Sequence, residues 1–222
     1  MKEPLSEEVL MHIASQLSKP EGADGILTAE RMAHTNHNMT LAAIAALGIA
    51  DRDIILEIGP GNGTHVGHLM EIGSNVRYYG VDISDTMVAE AVKINEGLLH
   101  TGKVSFELTG ADKLNFSNNF FDKIFTVNTL YFWEYPALYA QEILRILKPG
   151  GIFCLAIATA EFMKGLPFTK YKFKLYDAVA VESLLTAAGF SIVRISEQKD
   201  LTTSHTGEEV DRDIIVVTAT KQ

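Results

Sequence analysis

The stretch Asp53-Ile54-Ile55-Leu56-Glu57-Ile58-Gly59-Pro60-Gly61-Asn62-Gly63-Thr64 decides the fold. Its first half is an apolar run of strand length interrupted only by Glu57, and its second half sets glycine at alternate positions before a helical pattern begins. Glycine reaches positive φ without steric penalty and has no Cβ, so such a turn lets backbone come close to a ligand. The turn also aims the unpaired N–H groups of the following helix at whatever lies above it. The stretch predicts a strand, a tight turn and a helix start, with a nucleotide-type cradle at the carboxyl end of the strand, where open α/β sheets bind ligands.

A second signal stands at the end of the next predicted strand, Val76 to Asp82. Asp82 follows the glycines by about twenty residues, where a carboxylate accepts hydrogen bonds from both hydroxyls of a ribose. Ser84 then caps a predicted helix that ends near Gly102. Further strands are expected at Val104 to Thr109, Phe121 to Val127 and Ile152 to Ala158, with a helix from Pro136 to Leu147 stopped by Lys148-Pro149-Gly150-Gly151. Alternating strands and helices imply a parallel sheet covered on both faces. The last strands, Ser191 to Glu197 and Asp213 to Thr220, are joined by a polar loop with no helix, so they are expected to pair antiparallel.

Upstream of the decisive stretch, residues 1–50 read as helices alone: one capped by Ser6 and ended at Pro20 and Gly22, one from Thr28 through Met32, and one from Thr40 through Leu47. The polar segment Met32 to Met39 between the last two is costly to bury, so it is expected either in solvent or facing a ligand. These residues are expected to form a cap on a single domain spanning 51–222. An insertion from Glu161 to Tyr176 is rich in aromatic residues.

With 222 residues, 47% of them apolar, the chain is long enough for one well-buried domain. A formal charge of −9 argues against an extended nucleic-acid partner, because binders of phosphate backbones gather Lys and Arg on one face. The single cysteine, Cys154, lies in an apolar run, which excludes an intrachain disulfide and fits a reduced, cytoplasmic setting. The acidic N-terminus shows no signal-peptide pattern, and the most apolar helical run, Leu41 to Ala50, is too short to span a bilayer.

Taken together, E-I-G-P-G-N-G at 57–63, V-D-I-S at 81–84, G-A-D at 110–112 and L-K-P-G-G before an apolar strand resemble the class I S-adenosylmethionine-dependent methyltransferases, and most nearly their small-molecule branch with the ubiquinone and menaquinone biosynthesis enzymes. The resemblance implies a doubly wound, Rossmann-like sheet of seven strands, mostly parallel with an antiparallel last strand, plus an N-terminal helical lid. It implies S-adenosylmethionine as cofactor, with Gly59, Gly61, Asn62 and Gly63 near its methionine and ribose parts and Glu57 near its amino group. Asp82 would hold the ribose, Ile83 the adenine face, Ala111 and Asp112 the adenine edge, and Asn128 and Leu130 the methionine side. Asn36 and His37 would reach cofactor or acceptor from the lid.

The charges agree with that implication. A cofactor carrying a sulfonium and an ammonium suits a pocket lined by Glu57, Asp82 and Asp112, whereas a dinucleotide pyrophosphate would be repelled. A nicotinamide-dependent oxidoreductase is therefore disfavoured, and a non-catalytic cofactor-binding protein of the same fold is the nearer alternative. A general base is required only for a poorly acidic nucleophile. His37, His34, Tyr131 and Glu134 are candidates, with no spacing that singles one out. The pairs His34/His37 and His65/His68 lack the further ligands a metal site needs, so no metal is expected. The strand exit Asn128 to Tyr131 lacks the paired prolines of methyltransferases acting on adenine or glutamine nitrogen. A small-molecule acceptor is expected, with Tyr131, Trp133 and Tyr171 its candidate contacts. The aromatics here and in the insertion either line its pocket or simply pack the insertion onto the sheet.

Overall fold

The computed structural model describes residues 5–110, 113–203 and 208–222. Its sheet has seven strands in the order β3-β2-β1-β4-β5-β7-β6. They are β1 (Ile54–Ile58), β2 (Arg77–Asp82), β3 (Val104–Leu108), β4 (Phe121–Val127), β5 (Leu147–Ala158), β6 (Ser191–Thr203) and β7 (Glu209–Thr220). The first five pair parallel, and β7 runs antiparallel to both β5 and β6. All of β1 is buried, as a strand covered on both faces must be. The chain leaves β1 in one direction to reach β2 and returns to its other side as β4, so the glycine turn sits at the point where strand order reverses.

The helices are α1 (Glu7–Ser18), α2 (Gly22–Thr35), α3 (His37–Leu47), α4 (Val66–Ile72), α5 (Asp85–Ile94), α6 (Glu96–Leu99), α7 (Pro136–Ile146), α8 (Ala160–Lys164) and α9 (Ala178–Ala188). Ser6, Ser84, Thr159 and Asp177 cap α1, α5, α8 and α9 through their side-chain oxygens.

Several boundaries differ from the sequence expectation. Helix α2 begins inside the expected turn Glu21 to Gly25, because Gly25 is where the helix closes on Pro20: a Cβ there would stand 2.7 Å from the proline carbonyl carbon. The helix then continues through the polar segment to Thr35, and only Asn36 separates it from α3. The helix expected from Ser84 to Gly102 breaks at Asn95, whose buried amide donates to the carbonyls of Gly63, 3.0 Å away, and Ala91, 2.9 Å away. Strand β5 starts within Leu147 to Gly151, where its pairing with β4 is irregular. Strands β6 and β7 run well beyond their expected ends, adding pairs from Gln198↔Ile214 to Thr203↔Glu209. That extension is polar and lacks the alternation of a half-buried strand, so sequence pattern gave no reason to prolong it.

Candidate functional site

Gly59, Gly61 and Gly63 all hold positive φ, at 74°, 57° and 65°. Their reasons for being glycine differ. A Cβ on Gly59 would stand 2.5 Å from Thr129 Cγ2, and one on Gly63 would meet Asn95 Nδ2 at 3.0 Å and Phe106 Cζ at 3.2 Å. A Cβ on Gly61 would meet nothing within 4 Å. Gly59 and Gly63 thus let elements pack closely, whereas Gly61 borders open space.

That space is a cavity of about 340 Å³ over the carboxyl ends of β1, β2 and β4, roofed by α1, α2 and α3. Of the residues singled out in the sequence, Glu57, Gly59, Gly61, Asn62, Asp82, Ile83, Asn128, Asn36, His37 and Trp133 line it. Gly63 packs against Asn95 and Phe106 and does not line the cavity, and Leu130 is fully buried and faces the core. Ala111 and Asp112 lie outside the described residues. Tyr131 also stays out of the cavity: its buried hydroxyl donates to the Ala158 carbonyl at 2.9 Å, and burial raises its pKa further from neutrality. Tyr171, His34 and Glu134 are not among the lining residues either. The aromatics divide. Trp133 and Phe132 reach the cavity, while Tyr131 and Phe168, with Phe132 itself, pack on Phe173 in a ring cluster that fixes the insertion to the sheet.

Two carboxylates face the cavity. Asp82 is 8% exposed and accepts N–H donors from Ser84 at 2.9 Å and Gly61 at 3.3 Å. Burial raises its pKa to about 6, with the negative Glu57 adding a smaller push and the N–H donors opposing. Glu57, 2% exposed, accepts on Oε2 from the Tyr78 hydroxyl at 2.5 Å and from His65 Nε2 at 2.7 Å. Burial by itself lowers the His65 pKa, but the Glu57 carboxylate overrides it and the imidazole ends above its ordinary value. His65, Tyr78 and Thr129 were not anticipated. Only the i+8 spacing of His65 from Glu57 across the turn hinted at a partner; Tyr78 reads as an ordinary strand aromatic.

Thr129 ties the β4 exit to the glycine turn. Thr126 donates to the Ile58 carbonyl at 2.7 Å, the Thr126 and Thr129 hydroxyls are 2.6 Å apart, and Trp133 Nε1 donates to Thr129 Oγ1 at 3.1 Å. Asn128 makes the sharp exit possible by adopting φ 58°, a region that asparagine tolerates better than most residues. On the roof, the Ser84 hydroxyl donates to the Pro20 carbonyl and the Gly22 N–H to Thr86 Oγ1 at 3.2 Å, anchoring the α1–α2 joint to the start of α5.

Residues 56–155 match the methyltransferase domain family. Over 134 residues the chain is 32% identical to the uncharacterized methyltransferase YdaC of Bacillus subtilis, an alignment covering 59% of this chain and 70% of that relative. The chain belongs to the class I S-adenosylmethionine-dependent methyltransferases. S-adenosylmethionine is its cofactor, and the nicotinamide and non-catalytic alternatives give way. The methyltransferase shares its fold with a structure from Thermotoga maritima described as a possible histamine N-methyltransferase, at TM-score 0.69 and 22% identity, covering 96% of this chain and all of that one. It shares it too with Haemonchus contortus phosphoethanolamine N-methyltransferase 2 in complex with S-adenosyl-L-methionine, at TM-score 0.72 and 15% identity, covering 94% of this chain and 60% of that one.

Proposed function

We propose that this methyltransferase acts on a small, largely apolar or aromatic acceptor, enclosed by residues 1–50 as a lid over the catalytic domain of residues 51–222. The observation carrying the proposal is the composition of the cavity wall, where Met32 and Leu41 from the lid face the cavity together with Phe132 and Trp133. A macromolecular acceptor would need an open groove, and a nucleic acid a basic one; a roofed apolar chamber suits a small molecule. Cys154, buried with its thiol pushed up to about 12, fits a reducing cytoplasm.

The residues fit the cofactor. The open face of Gly61 leaves room for it against bare backbone, Ile83 and Met87 offer apolar contact, and two buried carboxylates complement its positive charges. Asp82 accepts the ribose hydroxyls, while Glu57, oriented by Tyr78 and His65, sets the negative potential at the amino end. When bound, the cofactor supplies an electrophilic methyl group on a sulfonium. An uncharged acceptor would give up a proton in exchange for that methyl, so the chain's main tasks are to align the acceptor, receive that proton and keep water out. Orientation of this kind lowers a barrier by about 7–11 kcal/mol. His37, at the first turn of α3 and on the cavity wall, is the side chain placed to take a proton from an acceptor hydroxyl.

S-adenosylhomocysteine is expected to raise the melting temperature, and Asp82→Ala to weaken its binding at least about 100-fold, since two hydrogen bonds to a charged acceptor are worth about 1.5–3 kcal/mol each. An unchanged melting curve at saturating ligand, or labelled methyl transferred to protein or nucleic acid but to no small molecule, refutes the proposal.

A further inference from the structure

The extended β6–β7 hairpin grips the part of the lid that enters the cavity. Thr202 Oγ1 donates to the Thr35 carbonyl at 2.6 Å, and Asn38 Nδ2 donates to the Leu201 carbonyl at 2.9 Å. Arg212, on β7, is paired with Asp200, its neighbour on β6, both side chains at most 8% exposed. The same guanidinium donates to the Thr35 carbonyl and, through Nη1, to Asn36 Oδ1, each at 2.9 Å.

That last bond has a chemical consequence. A carboxamide has one accepting and one donating end. Arginine is a donor only, so Asn36 must turn its oxygen to Arg212, and its Nδ2 is left pointing the other way with no bond to any described residue. Asn36 lines the cavity. Among the described residues no lysine or arginine does so, and the charged groups on its wall are Glu57 and Asp82 besides the imidazoles of His37, His65 and His68. The Lys and Arg that hold a phosphomonoester are thus absent from the described wall, and its two carboxylates would repel one.

We infer that Asn36 Nδ2 is a hydrogen-bond donor to an oxygen of an uncharged acceptor, that Arg212 is the positioning residue holding it in that sense, and that the site rejects phosphorylated amines. The inference rests on the small-molecule reading above and narrows its acceptor class. It also separates this chain from the phosphoethanolamine enzymes whose fold it shares.

The test is ligand-detected NMR on the full chain saturated with S-adenosylhomocysteine, using α-tetralone and tetralin, which differ by one carbonyl oxygen, and phosphoethanolamine. In Asn36→Asp the arginine keeps a partner and the cavity loses its donor. The ratio of tetralone to tetralin affinity is expected to fall about tenfold, the equivalent of one hydrogen bond, while S-adenosylhomocysteine affinity and melting temperature hold. Arg212→Gln, whose amide also pairs with either end of Asn36, is expected to lower the same ratio partway, and Arg212→Lys to restore it. Phosphoethanolamine is expected not to bind. Tetralone that does not bind, a ratio unchanged in Asn36→Asp, or phosphoethanolamine bound as tightly as tetralone overturns the inference. Failure of S-adenosylhomocysteine to bind in the same samples points instead to the parent reading.

Discussion

The two ends of the cavity are built by different means. At the glycine-turn end, the groups that matter come from the ends of adjacent strands and the turns that leave them, joined by backbone: Gly59 N–H donates to the Val81 carbonyl at 2.8 Å, and Gly61 N–H to Asp82. At the lid end, Asn36 is held by Arg212, 176 positions away. The first end is assembled by local backbone geometry and the second by a tertiary ion pair. Breaking the buried ion pair should therefore act first on stability, whereas filling the open face of Gly61 should act first on the cofactor.

The largest expected effect is at the lid end. Arg212→Ala leaves Asp200 buried without a countercharge, which costs about 3–5 kcal/mol of stability, read from urea unfolding. Replacing the pair together, with Arg212→Met and Asp200→Leu, is expected to restore most of that loss, since a well-packed apolar pair substitutes for a buried ion pair at little cost. The double variant keeps the fold and leaves the Asn36 amide unguided, so equal stability with altered acceptor binding sharpens the contrast between the two ends. If the double variant is as unstable as the single one, the hairpin is held by something other than the pair.

At the cofactor end a comparison within the turn is sharper than any single substitution. Gly59→Ala forces a Cβ into Thr129 at 2.5 Å on a backbone with φ 74° and is expected to cost about 3 kcal/mol in stability. Gly61→Ala carries only the strain of φ 57°, about 1–2 kcal/mol, because its Cβ meets no protein atom. Its main effect is expected on S-adenosylhomocysteine affinity, measured by calorimetry, because the methyl group intrudes on the cradle. Equal stability losses for the two variants would show that the turn is held by strain alone and that Gly61 does not border the ligand.

How much of this was legible in the sequence follows the same division. The Gly59–Gly63 turn and Asp82 were readable because glycine spacing and a strand-end carboxylate are local signals with few alternative explanations. The sheet followed from alternating elements, and the antiparallel β6–β7 pair from the absence of a helix between them. Asn95, His65 and Tyr78 were not readable, because each acts through a partner brought near only by folding. Nor was the length of the hairpin, since Asp200 and Arg212 look like surface charges until their pairing is seen. The Tyr131 and Tyr171 side chains were drawn toward the acceptor by composition alone, and packing took them elsewhere.

The smallest effect is a pH dependence that isolates one carboxyl group. Asp82 has its pKa raised from 3.8 to about 6, first by burial, so the folded apoprotein holds a proton that the unfolded chain releases between about pH 4 and pH 6. Its ionisation therefore subtracts stability from the apoprotein as pH rises through that window. Ribose hydroxyls donating to the carboxylate favour the charged form, so cofactor binding expels the proton. At pH 5 about one Asp82 in ten is ionised in the free protein, and S-adenosylhomocysteine affinity is expected to be about tenfold weaker there than at pH 7. His65, whose pKa burial lowers and Glu57 raises above its ordinary value, is told apart from Asp82 by substitution. Asp82→Asn should flatten the profile, and calorimetry of the wild type at pH 5 in two buffers of different ionisation enthalpy should show proton release on binding. A flat wild-type profile would mean that the carboxylate is not the group receiving the sugar, and the charge complementarity assigned to this end of the cavity would then have to rest on Glu57.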